Sequence, residues 1–429
     1  RDELVEAFPE IANDRTARIE LFGLTTRLAV LPLTKSAAED PDLFQAPIEA
    51  RFAVSDDLDL YLKNEFRTHR TVEVGRAGRL SDTRSGNFRV TDAGPDGFET
   101  FQRFVDDQSE PRTDILISLE GAWFELGAIS GAALELEHLA GALPPLGELG
   151  GAQIDAVVLP SLGENRKVSN RQIAYTMLLK QRGMIEKRFN QTLFTNSDST
   201  YPELAGTAAA LIGSLFTMLI TALFAIPVGI FAAVYLEEFA KKSIITNIIE
   251  VNINNLAAVP SIIFGLLGAA VFLNTLGLPR SVPLVGGLVL GLLVLPTIII
   301  ASRAALQSVP PSVRDAALGL GASHSQAVFH HVLPLAAPGI LTGAIIAMAR
   351  ALGETAPLLL IGMVAFISEV PRAPNDEATV LPVLIYKWFS GAERAWEPMT
   401  AAVIIILLTI LVAMNLVAVL LRRRFERRL

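Results

Sequence analysis

From residue 204 onward the chain carries five long apolar runs in succession, and these limit its possible folds more than any other feature. They cover roughly 205–236, 253–276, 283–302, 335–367 and 400–421. Each meets or approaches the roughly 20 apolar residues that a helix needs to cross a hydrocarbon core. Five such runs exclude a set of core helices in a large soluble protein and predict an all-α polytopic membrane domain over 201–429. The first and fourth are longer than a straight span requires, which predicts tilt or a start outside the hydrocarbon. An amphipathic stretch, 243–256, leads into the second. Residues 1–200 are of ordinary polarity and hold an excess of about ten acidic over basic side chains. The mean hydropathy of +0.44 therefore averages two unlike parts, with a domain boundary near residue 200.

Basic residues in short loops orient a membrane protein. Arg422, Arg423, Arg424, Arg427 and Arg428 follow the last run and predict a cytoplasmic carboxy terminus. Counting back, the loop 303–331 and the turn bearing Lys241 and Lys242 are cytoplasmic. The loops around Leu278 and over 369–396 fall outside, the latter acidic at Asp376, Glu377 and Glu393. Five spans with this ending put residues 1–200 outside the membrane. Something must carry such a domain across, so a sixth span is expected ahead of Arg1.

The outer domain reads as mixed α and β. Helical periodicity is expected at 2–11, 56–64 and 171–189, strands at 115–119 and 154–159, and a loop or hairpin region at 141–151, rich in Gly and Pro. There is no cysteine, which rules out disulfides and thiolate metal sites. His69 and His138 have no partner at metal-ligand spacing, so no metal is expected. No catalytic constellation is present. The acidic balance disfavours direct anion capture on this domain.

The most informative stretch is 310–334. Pro310 and Pro311 open it, Ser312 is expected to cap a helix with Asp315 at its third position, and Gly321 is expected to end that helix in a left-handed conformation. A second short helix over 323–332 is expected to stop at Pro334. The product is a protruding helix-turn-helix shaped to enter a partner. Asp315-Ala316-Ala317, then Gly321, then Leu333-Pro334 resembles the coupling-loop signature of ABC importer permeases. In that family the pattern is Glu-Ala-Ala, a Gly four positions after the second Ala, and Leu-Pro about a dozen further. Two departures stand out: Asp315 replaces Glu, keeping the charge, and His331 replaces a usual Ile. The resemblance implies docking of this loop in a cleft of a separate ATPase subunit. The chain has no Gly-x-x-x-x-Gly-Lys-[Ser/Thr] loop, so ATP would be bound by that partner and this chain has no cofactor of its own.

Inside the fourth run lies Arg350-Ala-Leu-Gly353-Glu354-Thr355-Ala-Pro357-Leu358. Charged residues inside a membrane helix are costly and face a bundle interior or polar cavity. At i and i+4, Arg350 and Glu354 share one helix face. A guanidinium fork fits a tetrahedral oxyanion; a salt bridge fixing helix register accounts for the same residues. Gly353 and Pro357 predict a kink. This segment, and Asn252-Ile-Asn-Asn-Leu-Ala-Ala-Val-Pro-Ser261-Ile-Ile-Phe-Gly265, are similar to the matching motifs of the phosphate-importer permease family. With the coupling loop, the resemblance covers about 203–429. It implies a type I importer permease fold and places Arg350, Glu354 and Thr355 on the phosphate path. It further implies a second homologous permease, two ATP-binding subunits, an extracytoplasmic phosphate-binding protein, a lipid environment in a bacterial inner membrane, and no nucleic acid. Ser55-Asp-Asp-Leu-Asp59 and 188–198 resemble an outer insertion found in one subgroup. A permease for sulfate or molybdate, or a membrane sensor with an outer ligand domain, are the alternative readings.

Gly287 with Gly291, and Gly339 with Gly343, have the small-residue spacing that permits close helix contact, and packing within the chain is the expected use.

Overall fold

The computed structural model describes residues 7–26, 52–63, 70–84, 87–94, 98–106, 113–160, 167–241 and 243–426. The chain forms two compact units, Arg1–Phe189 and Asn190–Leu429.

The first unit contains helices α1 (Arg15–Phe22) and α2 (Asp56–Lys63), strands β1 (Arg70–Arg84) and β2 (Asn87–Asp92), and helix α3 (Glu99–Asp106). Strands β3 (Thr113–Leu119), β4 (Ala122–Ser130), β5 (Ala133–Ala140) and β6 (Gly147–Pro160) follow, then helix α4 (Asn170–Gln181). The six strands close into an antiparallel barrel in the order β1-β2-β5-β4-β3-β6. Closure depends on β1, which pairs with both β2 and β6 and shifts register between Glu73 and Gly75, where Gly75 has φ +151°. A bulge at such a point bends the strand and tightens its twist.

Side-chain alternation sorts this unit into two cores. Ile115, Ile117 and Leu119 of β3 and Ile154, Ala156 and Val158 of β6 point into the barrel, where Phe88, Phe124 and Phe101 of α3 join them. The alternate residues Leu116, Val157 and Leu159 pack outward against Leu21, Leu58, Ile173 and Tyr175 of the helices. Burial pushes the Tyr175 phenol up to about 12. His138 is half-buried against Phe88 and Phe124, and its Nε2 lies 2.9 Å from the Gly141 carbonyl oxygen; desolvation lowers its pKa.

Three expectations for this unit change. The helix expected over 171–189 ends at Gln181, because Gly183 adopts φ +71° and the amides of Gly183 and Met184 close back on the carbonyls of Lys180 and Leu179. Its start is a capping box between Ser169 and Gln172. Of the loop or hairpin region expected over 141–151, the part from Gly147 onward belongs to β6. The helix expected at 2–11 falls partly outside the described residues; Pro9–Ile11 is a 3-10 turn. His69 also lies outside them.

The second unit is helical. It comprises α5 (Ala208–Val234), α6 (Ile244–Ala257), α7 (Ser261–Gly268), α8 (Pro283–Gln307), α9 (Pro311–Gly319), α10 (His324–Ala327), α11 (Leu333–Gly353), α12 (Ala356–Leu360), α13 (Leu381–Phe389) and α14 (Trp396–Glu426). Wide turns continue α5 through Tyr235–Phe239 and join α10 to α11 through Val328–Val332. Among the described residues, four helices are long and apolar enough to cross a membrane, over Ala208–Phe239, Pro283–Gln307, His324–Gly353 and Trp396–Leu420. A fifth arises if α6 and the bent segment Ser261–Thr275, which is α7 with its wide-turn extension Ala269–Thr275, count as one span.

The second apolar run is thus not one straight helix: α6 and α7 meet at 103°. Pro260 is the cause, since it lacks a donor and drives the preceding residue out of helical geometry. The fourth run also divides. Its helix begins earlier than expected, at His324, and ends at Gly353 rather than running on to Ile367. Pro334 does not stop it. The Leu333 amide bonds to the Val328 carbonyl five residues back, a wider turn that lets the helix pass through the proline.

Helix α8 is the hub. A side chain at Gly287 would meet Ile220 at 2.5 Å, and one at Gly291 would meet Phe224 at 2.5 Å, so α5 packs directly on α8 backbone. Thr221 donates to the Gly287 carbonyl at 3.1 Å. On its other side α8 meets α11, where Gly339 and Gly343 face Ala305 and Ala301. The small-residue pairs serve packing within the chain. Helix α14 keeps most of its apolar surface exposed, with Ile405, Val412 and Leu416 outward.

Candidate functional site

Two regions of the second unit hold the residues singled out in the sequence. The first is the connection from α8 to α11. Helix α9 starts without a side-chain cap; Ser312 does not cap it. The two prolines explain this. Pro310 takes ψ 137°, Pro311 enters at the first turn with no donor to satisfy, and Ser312 is already inside the helix. Asp315 accordingly sits in the second turn. Helix α9 ends as expected: Gly321 has φ +90°, and the amides of Gly321 and Ala322 bond to the carbonyls of Leu318 and Ala317 at 2.9 and 3.1 Å. Ser323 and Gln326 then form a capping box that starts α10.

The outer surface of this element is Asp315, Ala316, Leu318, Gly321 and Leu320, whose side chain is 90% exposed. Ala317 is buried; Leu333 is half-buried and packs against the core formed with Leu306, Val309, Val328 and Val332; Pro334 is exposed. An acidic group beside a bare leucine is a surface suited to a protein partner.

Beneath that surface lies an ion network that sequence inspection missed. Arg314 points from α9 toward the end of the α5 extension. Its Nε lies 3.2 and 3.1 Å from the two carboxylate oxygens of Glu238, and its Nη2 also donates to Glu238. The remaining donors reach the carbonyls of Val309 at 2.9 Å and Leu306 at 3.1 Å. Hydrogen bonding to Glu238 raises the Arg314 pKa above its already high ordinary value, so the charge is permanent. His324 Nε2 meets the Glu238 backbone carbonyl at 2.8 Å, and its ring packs edge-on against Phe239. The neighbouring Glu237 goes elsewhere. Arg303, at the end of α8, lies 3.4 Å from Glu237 and 2.8 Å from Glu250 of α6, and Gln307 donates to Glu237 at 2.9 Å. The available signal was Glu237-Glu238 at the end of an apolar run with unmatched Arg303 and Arg314 downstream; charges there need partners.

The second region is the break between α11 and α12. Helix α11 ends at Gly353, Glu354 turns extended at ψ 122°, and α12 begins at Ala356 with Pro357 in its first turn. The Thr355 carbonyl accepts the amides of Leu358 and Leu359, both at 3.1 Å. Arg350 Nε lies 3.5 Å from Glu354 Oε1, with side chains 44% and 20% exposed. The structure therefore places the Arg350–Glu354 pair at a helix break rather than along one helix, with Thr355 next in the chain. A salt bridge there does not lock the register of a continuous helix. A Cβ on Gly353 would meet open space, whereas one on Gly265 of α7 would lie 2.6 Å from the Pro357 Cα. Glycine at 265 is thus what lets α7 brace the far side of the break.

Comparison with known proteins adds to this geometry. Residues 225–428 match the family described as binding-protein-dependent transport system inner membrane component. The phosphate transport system permease protein PstA 1 of Mycobacterium tuberculosis (strain CDC 1551 / Oshkosh) is 31% identical over 223 residues, covering 52% of this chain and 72% of that protein. The phosphate transport system permease protein PstA of Haemophilus influenzae is 33% identical over 206 residues, covering 48% of this chain and 71% of that one. Among solved structures, a chain of the inward-facing MetNI methionine ABC transporter is similar at 19% identity and a TM-score of 0.41, over 50% of this chain and 94% of that one.

Proposed function

The chain belongs to the binding-protein-dependent transport inner membrane components, and we infer that it is a PstA-type permease: the membrane-spanning subunit of an ATP-driven importer of inorganic phosphate. It is a multi-pass inner-membrane transport subunit that works with ATPase subunits and a substrate-binding protein. The observation that carries the reading in this chain is the pairing of an outward coupling element at 311–334 with a charged helix break at 350–355.

The finer assignments follow from the loop charges and the family. Residues 303–334 and the carboxy terminus face the cytoplasm, and residues 1–200, as an α+β domain, face outward. A second homologous permease completes the path, and two ATPase subunits bind below, one of them over Asp315, Ala316 and Leu320. Closure of the ATPases moves the coupling elements as rigid bodies and switches the path between inward and outward openings, a two-state change biased by nucleotide. Arg350 then offers phosphate a charge-assisted contact, with Glu354 holding the guanidinium and Thr355 lying at the same break. A partly solvated site binds the anion weakly enough to release it, as transport requires.

Leu320→Asp tests the coupling surface. Burying a carboxylate in place of a leucine at a docking hot spot costs about 2 kcal/mol or more, so ATPase subunit retention during purification should fall about 30-fold. Retention equal to wild type would remove this loop as the docking element.

A further inference from the structure

The coupling helix is weakly anchored by apolar packing. Ala317 is its buried residue, Val313 is half-buried, and three residues, 308–310, join it to α8. Its most exposed apolar group, Leu320, points away from the unit. A push delivered on that outer face needs another route into the membrane helices. The route is Arg314, which engages Glu238 through Nε and Nη2 and ties down the α8 terminus through the carbonyls of Leu306 and Val309. The Glu238 side chain is only 4% exposed. It stands at the end of a continuous helical segment, Ala208–Phe239, about 48 Å long at 1.5 Å per residue, more than the hydrocarbon thickness requires.

We propose that the Glu238–Arg314 pair is a strut that transmits displacement of the coupling helix to α5, and that it stays closed throughout the transport cycle. Glu238 and Arg314 are positioning residues: they touch neither phosphate nor nucleotide. The division of labour between adjacent carboxylates supports this. Among the described residues the Glu238 carboxylate pairs with Arg314 of the coupling helix, and its backbone carbonyl meets His324, while Glu237 binds Arg303 and Gln307 of α8, and Arg303 continues to Glu250 of α6. One helix end thereby receives the coupling element on one carboxylate and distributes to α8 and α6 through the other. Loss of a buried partner leaves a guanidinium with unmatched charge and lets α9 tilt independently of α5.

The inference rests on the permease reading, and the test separates the two. The complete importer, with its partner subunits, is reconstituted in vesicles, and phosphate uptake and ATP hydrolysis are measured on the same sample. The variants are wild type, Glu238→Gln, Arg314→Lys and the exchange Glu238→Arg with Arg314→Glu. Glu238→Gln keeps the shape and removes the charge. It should lower phosphate moved per ATP hydrolysed by about tenfold, a coupling loss within the range mutations along a transmission path produce. Hydrolysis should stay within about twofold of wild type. Arg314→Lys should behave similarly because a lysine cannot make the forked contact. The exchange should recover part of the ratio. An unchanged ratio in both single variants, or uptake and hydrolysis falling in proportion, overturns the strut. Absence of phosphate uptake by the wild type overturns the permease reading and the inference with it.

Discussion

Arg350→Gln should reduce phosphate uptake about 10- to 100-fold at equal expression and with the ATPase subunits still bound. That magnitude follows from removing one charge-assisted contact of about 1.5–3 kcal/mol from the anion path. Glutamine is shorter and uncharged and keeps a single amide donor group, and its neighbour Glu354 would then stand as an unbalanced negative charge beside an anion. Two effects therefore act in one direction: a lost attraction and an exposed repulsion. The break at Gly353 makes this more than a matter of helix register, since α11 has already ended where Glu354 turns away. Uptake equal to wild type would reduce Arg350 to scaffolding while leaving the coupling surface untouched. Radiolabelled phosphate accumulation in cells lacking their own permease supplies the measurement.

Asp198→Ala should lower stability by about 3–5 kcal/mol, the usual cost of stranding one member of a buried ion pair. Asp198 is 1% exposed in its side chain and pairs with Lys387 of α13. The Trp388 indole donates to it at 3.4 Å, and its own amide bonds to the Ile367 carbonyl at 3.1 Å. The carboxylate thus fastens the entry to α5 to helix α13, while the Asp198 amide holds the chain returning from the break. Lys387 also lies 4.9 Å from the Phe366 ring centroid, so removing Asp198 strands a lysine over an aromatic face. Thermal unfolding of the detergent-purified chain should show a transition many degrees lower, and Lys387→Met combined with Asp198→Ala should recover a good part of the loss. A single variant as stable as wild type would show that the pair is solvated.

How much was legible in the sequence depended on how local the signal was. The existence of the apolar runs was, because length and composition alone mark them, but the bend at Pro260 was not. The left-handed end at Gly321 was, because glycine there is a local backbone matter. Pro334 misled for the opposite reason: the wide turn Val328–Val332 just upstream absorbs it, and such a turn leaves no simple composition mark. The barrel escaped notice although its pieces were visible. Leu134-Glu135-Leu136-Glu137 alternates cleanly, and Glu120-Gly121, at φ 49° and 84°, is the tight turn of a hairpin. Its closure, however, depends on β1 pairing with β6 across about 80 residues, which no window of sequence reports. Arg350 and Glu354 were readable at i and i+4. The Arg314–Glu238 and Arg303–Glu237 pairs join residues 76 and 66 positions apart, and only the packing of α5 on α8 brings them together.

The central claim is phosphate import, and the most direct test is uptake of labelled phosphate by the complete wild-type assembly, with unlabelled phosphate or sulfate as competitor and with ATP withheld in a parallel sample. ATP-dependent accumulation abolished by excess phosphate and untouched by sulfate is the predicted result. Accumulation that sulfate abolishes, or none at all from an assembly verified to contain every subunit, would contradict it.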